Sequence, residues 1–167
     1  MKKLLFFFLV FMLPGNRFVM SQSVDAVRAD FELAAEDENK AEQLLKILSG
    51  KLTNPLLIGY RAAAEAMMGK YASAPWNKYS YCKQAMKSFS EAVSGDSGNI
   101  EIRYLRIAIQ VHLPSFLHMS ENIEEDKEVI LANIDKSKDK ILNRKIATFL
   151  LKQAICTEQE NKLLRNY

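Results

Sequence analysis

Asn54-Pro55-Leu56-Leu57-Ile58-Gly59-Tyr60-Arg61-Ala62-Ala63-Ala64-Glu65-Ala66-Met67-Met68-Gly69-Lys70-Tyr71 is the stretch that decides the fold. Asparagine followed by proline marks a helix start. The side chain can accept from a free backbone N–H, and proline at the first helical position lacks an N–H that would have no partner there. Leu56, Tyr60, Ala63, Met67 and Tyr71 then recur at steps of three and four, the spacing of one helical face. On an adjoining face Gly59, Ala62, Ala66 and Gly69 repeat the same steps. Side chains this small let a neighbouring backbone come close. In a bilayer such a row suggests a dimer face, but Arg61, Glu65 and Lys70 interrupt it, so tight packing within the domain is expected.

Working outward, the chain reads as helix after helix. Residues 23–35 place Val27, Phe31, Ala34 and Ala35 on one face. The acidic break Glu36-Asp37-Glu38, with Asn39 as cap, leads to a second helix striped by Ala41, Leu44, Leu45 and Leu48. Gly50 is placed to end it as a left-handed cap. After the turn at Ser73-Ala74-Pro75-Trp76, Asn77 can cap a fourth helix that runs to about Val93. The loop Ser94-Gly95-Asp96-Ser97-Gly98-Asn99 closes it. Residues 100–111 are apolar almost all round, which marks a central helix, and Pro114 stops it. Asn122 with Glu125 three residues on resembles a capping box, opening a sixth helix to about Ile134. A seventh covers about 138–155 with Leu142, Ile146, Phe149 and Leu150 inward. Thr157 with Glu160 caps a short last one. No stretch alternates as a half-buried strand does. The fold class is all-α, with seven to eight helices in antiparallel hairpins, as a repeat-like α-solenoid or a compact helical bundle.

Residues 1–21 read as a signal peptide. Lys2 and Lys3 precede the apolar run 4–13, and Pro14-Gly15 ends it. Ten residues are too few to span a bilayer, which disfavours an uncleaved anchor. Val19 and Ser21 supply the small residues expected before a cut at Ser21/Gln22, leaving 22–167 as a single helical domain. No cysteine near the leader suggests a lipoprotein. The leader carries Lys2, Lys3 and Arg17, so its removal turns 23 basic residues against 20 acidic ones into an even balance. Without a net positive field, nucleic acid is a poor partner. Charge is still uneven: 22–50 hold seven acids and three bases, and 51–120 hold four acids and eight bases. The export signal places the protein in the periplasm or outside the cell, with no membrane attachment after cleavage.

Two cysteines in an oxidising compartment allow one disulfide, Cys82–Cys156. Cys82, however, falls in line with Tyr79, Met86, Phe89 and Val93 on a buried stripe, where a free thiol acts as a small hydrophobe. The buried thiol is the preferred reading. Arg103, Arg106 and Gln110 sit on the apolar fifth helix with Glu101 nearby, and Glu65 lies among alanines on the third. Buried charges need partners. Either these residues form ion pairs between the third and fifth helices, or Arg61, Arg103 and Arg106 line a groove for a carboxylate. Trp76 and Tyr79, with Tyr81, cluster at a turn, where aromatics can anchor a partner or cap the core. His112 and His118 lack the spacing of a zinc site, and no glycine-rich phosphate loop is present. Cys82 with either histidine is conceivable as a nucleophile and base, though nothing local marks the pair. No metal and no cofactor are expected.

Ala85-x-x-x-Phe89-x-x-Ala92 resembles the second helix of a tetratricopeptide repeat, and Ala41-x-x-x-Leu45-x-x-Leu48 echoes it weakly. The 34-residue period is not kept. The strings Asn54-Pro55-Leu56-Leu57-Ile58-Gly59-Tyr60, Glu101-Ile102-Arg103-Tyr104-Leu105-Arg106, Pro114-Ser115-Phe116-Leu117 and Asn122-Ile123-Glu124-Glu125-Asp126 resemble a family of exported helical proteins from Bacteroidetes-type bacteria. That family has no assigned activity, so the resemblance implies export and helicity and lends no mechanism. The functional expectation is a non-catalytic interaction module binding a protein or peptide segment in the cell envelope, with Arg61, Glu65, Trp76, Tyr79, Arg103 and Arg106 as candidate contacts. The alternative is a small helical enzyme using a buried polar centre around Glu65, Arg103 and Arg106.

Overall fold

The computed structural model describes residues 23–167, so the expected leader and its cleavage site lie outside the described residues. Eight α-helices follow one another: α1 (Val24–Ala34), α2 (Glu38–Ile47), α3 (Pro55–Tyr71), α4 (Pro75–Gly95), α5 (Ile100–Gln110), α6 (Ile123–Asn133), α7 (Lys140–Gln153) and α8 (Glu158–Leu164). Short 3-10 turns at Ser115–Leu117 and Ile134–Lys136 complete the order. No strand occurs among the described residues, and no helix there is long and apolar enough to cross a membrane.

Side-chain caps account for most starts. The first N–H groups of a helix have no partner inside it, and short polar side chains supply one. Asn54 accepts from Leu56 N at 2.9 Å, as its position before Pro55 suggests. Asn99 accepts from Glu101 and Ile102 at α5, and Asp139 accepts from Leu142 at α7. The Thr157–Glu160 capping box is complete at α8. Four local expectations are corrected. Asp37 caps α2 in place of Asn39. Gly50 does not adopt a positive φ; α2 ends on Leu48, whose N–H turns back to Leu44 O. Pro75 opens α4 two residues before Asn77, with no side-chain cap. The Asn122–Glu125 box does not form: the Asn122 side chain caps no backbone N–H of α6, and Glu125 accepts from Arg103 Nη1 at 2.6 Å and from Asn122 Nδ2 at 3.4 Å.

The helices pack in consecutive pairs, and α3–α4 is the tightest. Its two ends show that the pair is antiparallel. Gly69, late in α3, faces Tyr81 and Cys82, early in α4. Gly95, at the end of α4, faces the Pro55 ring. A Cβ on Gly69 would lie 3.3 Å from Tyr81 Cβ, so the row of small residues serves packing inside the domain. Gly59 does the same toward α5, against Ile102 and Leu105. α3 lies at the centre, touching α1, α2, α4 and α5. Ala62, Ala63 and Ala64 are fully buried in it, with Leu44, Leu48, Phe89, Leu105, Ile107, Ile130, Ile146 and Leu150 packed in the same core. Each such large side chain contributes about 1.5–3 kcal/mol when removed from water.

The first helices of the four pairs adjoin one another, α1 to α3, α3 to α5 and α5 to α7. Polar contacts then close α1 onto the far end of the series. Glu32 pairs with Lys145 of α7, and Arg28 reaches Asp139 at 3.4 Å. The result is one compact helical body around a shared core.

Candidate binding groove

The C-terminal half of α3, the first turns of α4 and the end of α5 leave an apolar groove of about 980 Å³. Its construction follows from the local sequence. Gly69 lets α4 approach α3 closely on one side. Pro114 prevents α5 from continuing, since proline lacks the N–H a helix needs. The chain makes a single 3-10 turn, and His118 reverses it in the left-handed region at φ 50°. That turn projects Phe116 into solvent.

Ala66, Met67, Cys82, Ala108 and Ile109 supply the floor, and Leu113 and Leu117 close one side. The mouth is aromatic and open. Trp76 is 73 % exposed, Phe116 74 % and Tyr79 47 %. Three large rings left in water at one site cost solvation free energy that a partner could recover. Lys70, Lys78 and His112 also line the groove, and no carboxylate does. Lys70 is engaged elsewhere: its Nζ donates to Ala35 O at 3.0 Å and lies over the Tyr71 ring. The exposed Lys78 makes no side-chain hydrogen bond or ion pair among the described residues. Cys82 and His112 share this groove, but burial pushes the Cys82 thiol up, away from the thiolate a nucleophile needs.

Of the six candidate contact residues, Trp76 and Tyr79 belong to the groove and Arg61, Glu65, Arg103 and Arg106 do not. Arg61 pairs across the α3–α4 seam with Glu91 at 3.2 Å. Glu65 is buried in that seam beside Ser88, with one carboxylate oxygen lacking a partner. Burial pushes its carboxyl up, and Ser88, Arg61 and Gln84 offset this only in part. Arg103 and Arg106 lie apart from it, against α6. Arg103 Nη1 donates to Asp126 Oδ1 at 2.7 Å, and Arg106 donates through Nε and Nη2 to both Asp126 oxygens at 2.7 and 2.6 Å. Arg103 also holds Ser97 O, and Gln110 donates to Met119 O at 2.9 Å. The expected polar centre of Glu65, Arg103 and Arg106 is therefore not assembled, and the arginines tie α5 to α6 rather than to α3.

The polar link between α3 and α5 is a different one. The Tyr60 hydroxyl donates to Glu101 Oε1 at 2.6 Å, and Arg28 of α1 donates to both Glu101 oxygens at 2.7 and 2.5 Å. Burial and the Glu101 carboxylate hold the Tyr60 hydroxyl protonated well above its usual range. These groups satisfy one another, as buried charges must.

The cysteines are not joined. Cys82 faces Gly69 in the α3–α4 seam, whereas Cys156 lies beside Lys127 and Glu160 where α6 meets α8. Among the described residues, no group of three or more His, Cys, Asp or Glu side chains is placed to hold a metal ion. Phe116, Lys78 and His112 were not singled out from sequence as contacts in this groove. An aromatic between Pro114 and Leu117, outside any helical stripe, was the available signal. No family model, curated protein or solved structure matches this chain.

Proposed function

We propose that this protein is an exported, non-catalytic interaction module that binds a segment of another protein in the apolar groove between α3, α4 and α5. The observation that carries this reading is the set of exposed rings, Trp76, Tyr79 and Phe116, around a half-open apolar trough. Aromatic anchors seated around desolvated pockets supply most of the free energy at protein interfaces. Export rests on the leader at residues 1–21, which directs the domain to the periplasm or beyond.

A photoreactive benzoylphenylalanine in place of Phe116, introduced in the native host, tests the site. A discrete protein adduct is expected at position 116 and none with the same group at Ile141, which is exposed on α7 away from the groove. Equal labelling at both positions, or none at 116, would overturn the proposal. Fractionation of the same cells checks export: the protein should leave the cytoplasm only when residues 1–21 are present.

A further inference from the structure

The charge at the groove mouth narrows what can occupy it. Resting on the groove reading above, we infer that the partner segment is an amphipathic helix that lays its apolar face against Trp76 and Phe116 and carries a carboxylate at its edge toward Lys78.

Three observations lead there. First, the ammonium groups along the groove meet no acidic partner there: Lys70 and Lys78 line it, Lys78 is exposed beside the aromatic mouth, and no acidic side chain lines the site. Lys70 is already held by Ala35 O, which leaves Lys78 as the ammonium available to a ligand. A carboxylate there gains a partner, while an ammonium would meet like charge, and such rim complementarity selects partners more than it adds affinity. Second, the described residues offer no strand edge to which an extended peptide could add. A groove between helices takes the apolar face of another helix, with anchors three and four residues apart. Third, a volume of about 980 Å³ stands at the top of the range that holds a drug-sized molecule, roughly 300–1,000 Å³. It has room for several anchor side chains.

Trp76 is the single tryptophan of the chain, so its emission reports directly on the mouth. The test uses three synthetic helical peptides without tryptophan, sharing one Leu/Phe face and differing by Glu, Gln or Lys at its edge. They are titrated into the full protein at low salt. The Glu peptide should bind about threefold more tightly than the Gln peptide and roughly tenfold more tightly than the Lys peptide, the scale of an exposed ion pair against a like-charge contact. Lys78→Glu, at an exposed position, should reverse the order, and ~1 M salt should erase it. Equal affinities that all weaken in Phe116→Ala would overturn the carboxylate while leaving the groove reading intact. No response to any peptide, or no effect of Phe116→Ala, would overturn both. Sub-micellar oleate that shifts Trp76 emission where the peptides do not would show a lipid site and overturn the peptide helix.

Discussion

Asp126 is the residue whose loss should cost this fold most per atom removed. It is 0 % exposed and accepts three charge-assisted hydrogen bonds, one from Arg103 and two from Arg106. Both guanidiniums are themselves buried. Arg103 keeps Glu125 and Ser97 O if Asp126 is neutralised, but Arg106 keeps only Glu125, whose nearest oxygen is 3.8 Å away. Asp126→Ala therefore strands a buried positive charge, for which about 3–5 kcal/mol is the usual cost. In a domain of this size that lowers Tm by roughly 10 °C. Glu125→Ala removes a carboxylate that is 55 % exposed and should cost about 0–1 kcal/mol. Urea unfolding of Asp126→Ala, Arg106→Met and Asp126→Ala/Arg106→Met closes a double-mutant cycle. The double variant should be more stable than Asp126→Ala alone, with a coupling of at least about 2 kcal/mol, because it leaves no orphaned charge. If Asp126→Ala and Glu125→Ala fall within about 0.5 kcal/mol of each other, the reasoning about burial is refuted.

Three further perturbations are read by the same urea unfolding. Burial raises the folded-state pKa of Glu65 above its unfolded value, so its contribution is full below the unfolded pKa and is lost as pH rises through the folded one. The wild type should thus lose stability relative to Glu65→Gln on going from about pH 4 to neutrality, and a widening gap toward acid would contradict this. Gly95→Ala places a Cβ 2.8 Å from the rigid Pro55 ring, which should cost about 1–3 kcal/mol despite alanine's better helix propensity, whereas Gly50→Ala meets nothing within 4 Å and should be near neutral. Tyr60→Phe removes the hydroxyl from Glu101 and should cost about 1–2 kcal/mol; an unchanged urea midpoint would show that Arg28 alone suffices.

The helices were largely legible because periodicity and caps are local. Asn54-Pro55 and the Thr157–Glu160 box signal their structure within five residues, and the structure keeps both. The failures are also physical. Glu125 could reach back to cap its own helix, but a buried Arg103 on α5 offers a stronger partner, and sequence spacing does not show that competition. Glu65, Arg103 and Arg106 look alike as polar residues on apolar helices, yet α3 and α5 turn them toward different neighbours, α4 and α6. Of the groove, Trp76 and Tyr79 are legible as contacts, and Cys82 and His112 only as a conceivable reactive pair. Its other wall is built by a 3-10 turn brought close through tertiary packing, and no local pattern in Pro114-Ser115-Phe116-Leu117 signals that placement.

The closure of α1 onto α5 and α7 also bears on how the chain comes apart. In a linear array of helical pairs, each pair stabilises mainly its neighbours, and the ends can fray while the middle stays folded. Here Arg28 is bonded to Glu101, 73 positions along the chain, and Glu32 to Lys145, 113 positions along. Glu101 would lose both of its Arg28 hydrogen bonds if α1 detached, so the first helix cannot leave without upsetting the fifth. Unfolding should accordingly be a single cooperative event, with one calorimetric transition and no stable fragment produced by removing either terminal pair. Such sequence-distant ties also raise contact order, which should make folding slower than that of a helical array built from local contacts.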